Sequence, residues 1–301
     1  LTDYAQPGPL PLRPLTTGEL LDAAVVLLRT RLTKLIWLGI AFAVVEQAVL
    51  FPLRRLADQD ISTRPGTGLL VQFSILVVVG FATEAFCIGV LGGIAAREGP
   101  RALLGRAAPP RPAARLVRVL VVAVLIGVIA GLAAWPFPLL LPPLQGVGMP
   151  VAVLVTLLAW PIPYGFIGLA APAVVLDGRG PLRALGRSFW LASRDGLRAV
   201  WVRVLGYLGW ALIRYTLIGA TIALVNLGFA SPSTTVDAIL LAGAAILVNA
   251  VAYPMLGCLD VALLLEARMR CEGLDIQLRG ALRRGVSAET ALAAPGARSG
   301  S

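Results

Sequence analysis

The stretch 172-PAVVLDGRGPLRALGRSFWLASRDGLRAVWVR-203 decides how this chain folds. An apolar run stops at Asp177, a basic segment with helical periodicity follows, and a second apolar run opens beyond Arg198. This order of parts is that of a membrane exit, a helix lying on the cytoplasmic surface and a return into the bilayer. The same order recurs near the N-terminus and near residue 100, so the chain repeats this unit.

Composition agrees. Of 301 residues, 58% are hydrophobic and 14% charged, with a mean hydropathy of +0.85. One water-soluble core cannot hide so much apolar surface, and a bilayer can. The net charge of +10 would suit a nucleic-acid binder. Here, however, the basic residues cluster beside the apolar runs, as the positive-inside rule requires, and nucleic acid is not an expected partner. Every basic residue but Lys34 is an arginine, and Ala, Gly and Pro are abundant, which fits a GC-rich bacterial genome.

Six spans follow from the apolar runs, given that roughly 20 residues cross a bilayer: about 33–51, 69–96, 116–135, 150–176, 201–229 and 236–263. Phe51-Pro52 closes the first, and residues 52–68 form an outer loop. Pro161, Pro163 and Pro172 predict a kinked or locally unwound fourth span. The uncharged linker 136–149 either turns in the outer interface or dips back into protein. Residues 1–16 form a Pro-rich N-terminus without the apolar core of a signal peptide, 17–284 a single membrane domain, and 285–301 a disordered cytoplasmic tail. Thr16 and Glu19 have capping-box spacing ahead of an amphipathic interfacial helix over 17–31. With the N-terminus inside, 22 of the 26 basic residues fall on the cytoplasmic side, so both termini are expected there.

Gly99-Pro100 and Gly105-Arg106 align with Gly180-Pro181 and Gly186-Arg187, and Gly89 with Gly168. The fold class expected is therefore all-α and polytopic, with three repeated units of a cytoplasmic helix and a two-span hairpin around an axis along the membrane normal.

Four ionisable residues fall inside the spans: Glu46, Glu84, Arg214 and Asp260. Each costs about 2.5–3.5 kcal/mol at mid-bilayer unless it is paired. At 1.5 Å per residue, Glu84, Arg214 and Glu46 all lie roughly 17–20 Å above the cytoplasmic boundary, so they share a depth. Arg214 is expected to pair with Glu84 or Glu46, which leaves one carboxylate over. Such a cluster either fixes helix register or lines a cavity where the unpaired carboxylate takes up a proton or a cationic group. Asp260 lies within about two turns of Glu266 and Arg268 and is expected to reach the interface by snorkelling. Asn226, Gln47, Gln72 and Asn249 supply hydrogen bonds between helices, and Gly89-x-x-x-Gly93 a close helix approach. Arg183, Arg187, Arg194, Arg198, Arg268 and Arg270 are expected contacts for anionic lipid headgroups or a protein partner.

Nothing points to catalysis. There is no Walker A motif, no nucleophile elbow and no dinucleotide fingerprint, and with no His and no Cys-x-x-Cys neither a metal site nor a cofactor is expected.

The segments 11-PLRPLTTGELLDAAVVLLRTR-31, 171-APAVVLDGRGPLRALGRSFWLASRDGLRAVWVRVLG-206 and 254-PMLGCLDVALLLEARMRCEGLDIQL-278 resemble a bacterial membrane-domain family, the one that precedes some glycerophosphoryl diester phosphodiesterases. Its usual Glu is Asp177 here, and its usual Tyr-x-Asp-x-Arg is Leu264-Leu265-Glu266-Ala267-Arg268. The resemblance implies a stand-alone membrane module and brings no phosphodiesterase activity, because that enzyme is a separate barrel that needs histidines. Two roles follow as expectations: a structural or accessory subunit of an inner-membrane assembly, or a small transporter or lipid-handling permease using Glu46, Glu84 and Arg214.

Overall fold

The computed structural model describes residues 11, 13–63, 67–104, 113–136, 161–228 and 234–283. Among these residues the chain is helical throughout, with no strand. Helices α1 (Thr17–Thr30), α2 (Leu32–Thr63) and α3 (Thr67–Ala95) are followed by a 3₁₀ turn (Ala96–Glu98), α4 (Gly99–Leu104) and α5 (Ala113–Ala134). Then come α6 (Pro161–Ile167), α7 (Ala170–Leu176), α8 (Pro181–Arg194), α9 (Arg198–Gly228), α10 (Thr234–Glu272) and α11 (Leu274–Arg283).

Five of these helices are long and apolar enough to cross a membrane: Leu32–Leu56, Ser74–Glu98, Arg115–Ala134, Arg198–Leu224 and Ala238–Glu272. Their outer faces carry bare apolar side chains, such as Leu132 at 67% exposure, Leu212 at 69% and Leu247 at 70%. Water would penalise such a surface and lipid would solvate it, so the fold is that of a multi-pass membrane protein. Of the expected fourth span only 161–176 is described. It is two short helices, α6 and α7, broken at Gly168-Leu169, where the prolines predicted a local unwinding. The linker from 137, the tail from 285 and the first three residues of an outer turn expected over Ser231–Thr235 lie outside the described residues, and Thr234 and Thr235 already belong to α10.

Two boundaries differ from expectation. The first span does not end at Pro52, because α2 runs on through it to Thr63. A proline removes one backbone hydrogen bond, and at Pro52, on an exposed face, the helix continues without it. The last span does not end near 263 either. Helix α10 continues to Glu272 and is buried as far as Met269.

Helix α10 is the hub. It packs against α1, α2, α3 and α9, while α3 also packs on α5, and α9 on α6. The predicted capping box starts α1, with the Thr16 hydroxyl accepting from the Glu19 N–H at 3.3 Å and the Glu19 carboxylate accepting from the Thr16 N–H at 2.7 Å. Its apolar face, Leu20, Ala23, Ala24 and Leu27, is buried in the protein core rather than laid on lipid. Where α3 crosses α10 the backbones touch: a Cβ on Gly257 would stand 2.7 Å from the amide nitrogen of Gly92. Only glycines allow this approach. Gly93 of the Gly89-x-x-x-Gly93 pair faces Val119 of α5.

Candidate functional site: an intramembrane polar pocket

Three charged clusters are built on this frame. The first gathers at the end of the bundle where α8 meets the C-terminal turns of α10. Asp177, the residue that closes α7, accepts from Nε of Arg187 at 3.0 Å and pairs with Arg268 at 3.0 Å, and Glu272 accepts from Nη2 of Arg187 at 2.7 Å. Burial alone would lower the Arg187 guanidinium, but Glu272 and Asp177 outweigh it and hold it above its ordinary value. Beside this group Glu266 pairs with Arg198 at 3.3 Å and with Arg270, and both arginines donate to the carbonyl of Leu15. Partial burial raises the Asp195 carboxyl above its usual range, against the pull of Arg270 and Arg198. Arg187 and Arg268 are thus not the surface contacts expected of them. They are buried, and carboxylates from α7 and α10 occupy their donors. Arg198 is half-buried, Arg183, Arg194 and Arg270 are exposed, and Arg194 lies 5.1 Å over the ring of Trp190.

The second cluster corrects the expectation for Asp260. It does not snorkel to an interface. At 1% exposure it is paired with Arg203 of α9, equally buried, whose Nε donates to Oδ1 at 2.7 Å. The Tyr164 hydroxyl donates to Oδ2 at 3.3 Å, and Nη1 of Arg203 donates to the carbonyl of Gly165 at 2.9 Å. From the sequence Arg203 belonged to the basic residues that set orientation. Its fixed, planar donors instead fill the broken stretch between α6 and α7.

The third cluster lies at mid-depth, between α2, α3, α9 and α10. Nη2 of Arg214 donates to Oε1 of Glu84 at 2.6 Å, and the Tyr207 hydroxyl donates to Oε2 at 3.1 Å. Glu46, the second carboxylate, forms no ion pair among the described residues. It accepts from the Tyr253 hydroxyl at 2.6 Å and from Nδ2 of Asn249 at 2.9 Å. Gln47, one helix position on, accepts from Arg54 at 3.2 Å. All of these but Tyr207 and Tyr253 line one pocket of about 290 Å³, whose remaining wall is Tyr215 and mostly apolar residues such as Leu50, Leu76 and Ile218. Glu46, Glu84 and Arg214 are therefore brought together, and Asp260 belongs to a different site. Sequence reasoning did not single out Tyr207 or Tyr253. Tyrosines in an apolar run look like core, and only the carboxylates facing them reveal their work.

Among the described residues no group of three or more metal-ligating side chains gathers. Comparison with protein-family models, with curated proteins and with solved structures finds no match for this chain.

Proposed function

We propose that the chain is a carrier of the bacterial cytoplasmic membrane, without enzymatic activity, that admits a small solute to the pocket between α2, α3, α9 and α10. One observation carries this reading: Glu46 is 4% exposed, faces a pocket, and has only neutral hydrogen-bond donors. A carboxylate at mid-membrane that served packing alone would be expected to have a cationic partner, as Glu84 has. Both termini are read as cytoplasmic, on the distribution of the arginines.

The chain is read here as six spans in three units, an architecture that would suit a carrier, since repeated units around a central site give such proteins their alternating states. Gly89, Gly168 and Gly257 each precede an acidic residue by the same interval, at Glu98, Asp177 and Glu266. Arg31 pairs with Glu98 at 2.6 Å as Arg198 pairs with Glu266, each arginine standing at the start of the helix that opens its hairpin. Membership of the membrane-domain family that segments 11–31, 171–206 and 254–278 resemble is proposed on those segments.

Uptake into liposomes containing the purified chain tests the proposal, with a panel of small labelled cations, zwitterions and anions. The expected result is uptake of at least one solute that Glu46→Gln abolishes in a folded protein. No Glu46-dependent uptake across the panel contradicts it.

A second reading, an accessory subunit, has its own observation. Helix α8 exposes Leu182, Phe189 and Trp190 beside Arg183 and Arg194, a face suited to anionic headgroups or a membrane partner. Native mass spectrometry after gentle extraction tests it. A bound phospholipid or protein lost in an Arg183→Gln/Arg194→Gln variant supports this role, and a bare chain counts against it.

A further inference from the structure

Asn249 has two amide hydrogens and one carbonyl oxygen. Its nitrogen lies 2.9 Å from Oε2 of Glu46 and 2.7 Å from the Tyr253 hydroxyl, so both hydrogens are engaged there. Its Oδ1 is buried without a hydrogen-bond partner, in a residue only 2% exposed. On Glu46 the donors from Tyr253 and Asn249 both reach Oε2, and neither uses Oε1. Both residues line the pocket, and the donors around them are already committed. A buried acceptor left unmet is costly, and what Asn249 lacks is a donor, while Nε of Arg214 is likewise buried and unmet and lacks an acceptor.

The pocket's own cation does not supply it. Both terminal nitrogens of Arg214 reach Glu84, at 2.6 and 3.4 Å, and the Tyr207 hydroxyl holds the same carboxylate. Glu84 and Arg214 offset each other, so Glu46 sets the charge that a guest meets. An anion would face a carboxylate and a carbonyl. A bare metal ion would lack the ligands it needs, since no group of three metal-ligating side chains gathers among the described residues. A volume of about 290 Å³ is small for a ligand pocket and excludes large solutes.

Building on the carrier reading, we infer that the pocket binds a small protonated amine, its N–H groups on Oε1 of Glu46 and Oδ1 of Asn249 and its hydrocarbon against Leu50, Leu76 and Ile218. The amine is the class that offers several donors and one positive charge within so small a volume. Ligand choice therefore rests on Glu46 and Asn249, while Arg214 and Glu84 exclude a second cation.

Equilibrium binding of labelled ethylammonium to the full chain in lipid nanodiscs tests the inference, with sodium and acetate as competitors. One saturable site is expected, weakened at least tenfold in Glu46→Gln and in Asn249→Leu and unchanged in Arg183→Gln. Because those two changes touch buried groups, Gly80→Leu provides a second route: a Cβ at Gly80 would meet nothing within 4 Å, and the residue lines the pocket. That variant should fold and lose ethylammonium binding. Binding that survives Gly80→Leu, or that sodium matches in affinity, overturns the inference. Glu46-dependent binding of acetate in place of the amine overturns the ligand class and leaves the carrier reading standing. Ethylammonium binding without uptake into liposomes overturns the carrier reading and leaves the site.

Discussion

The guanidinium of Arg203 occupies the space that Gly168 leaves empty: a Cβ on Gly168 would stand 2.5 Å from its Cζ. The chain breaks between α6 and α7 at this point, and Arg203 bridges the break by donating to the Gly165 carbonyl while pairing with Asp260. The broken helix and the buried charge thus depend on each other. Backbone carbonyls freed from a helix need a donor away from water, and a buried guanidinium needs acceptors.

Gly168→Ala should therefore displace Arg203 and destabilise the protein by about 3–5 kcal/mol, the cost of breaking a buried pair. Arg203→Leu alone should cost a similar amount, by leaving Asp260 buried and uncompensated. Asp260→Leu added to Arg203→Leu should recover part of that loss, since the two residues are coupled. Unfolding in detergent followed by circular dichroism checks all three. Strictly additive losses would show that the residues do not act as a unit.

For Arg214 the expectation separates structure from transport. Glu84→Gln should lower stability, by less than the ~3–5 kcal/mol of a fully buried pair, as it strands a guanidinium that is 17% exposed. Glu84→Gln with Arg214→Gln should restore most of the stability while solute uptake stays impaired, because the polar floor of the pocket has changed. Thermal unfolding and liposome uptake on the same preparations check this. Full uptake in the stable double variant would mark the pair as packing only.

Acid should loosen the start of α1 at a defined pH. The bond from Arg13, aided by the Thr16 backbone and hydroxyl, lowers the Glu19 carboxyl from 4.5 to about 2. Its stabilisation is therefore fully present above pH 4.5 and is lost as the pH falls through about 2. Hydrogen exchange of the first turn of α1 should accelerate over that window, and high salt should weaken the Arg13 contribution, since both side chains are solvent-facing. Thr16→Ala, which removes the reciprocal cap, should cost about 1 kcal/mol at neutral pH. Unchanged exchange between pH 4.5 and 2 contradicts this.

Local physics explains what was legible in the sequence. Apolar run length located the spanning helices, the Thr16 to Glu19 spacing marked the start of α1, and the prolines near 161–172 marked the broken segment. A shared depth brought Glu84 and Arg214 together before any contact was known. Depth alone failed for Asp260, because its partner Arg203 sits 57 residues away on another helix and resembled a boundary arginine. One signal was available: Arg203 falls between Val202 and Val204, inside the run rather than at its edge. Arg187 and Arg268 were misplaced for a related reason. Amphipathic periodicity places a charge on a helix face but does not say that Asp177 and Glu272 wait on the facing elements. The recurrence of a glycine and an acid at Gly257 and Glu266 escaped notice because the last unit is longer than the middle one.

Solvent access to Gly80 tests the central claim most directly. In a chain with Cys87, Cys258 and Cys271 replaced by alanine, a Gly80→Cys variant would place one thiol in the open space of the pocket wall. If the pocket admits solute from water, a charged, membrane-impermeant thiol reagent should label that cysteine from one side of the membrane, and ethylammonium should slow the labelling. A thiol at Gly80 that stays unreactive, while one at the exposed Arg54 reacts from the same side, would contradict a water-accessible carrier site.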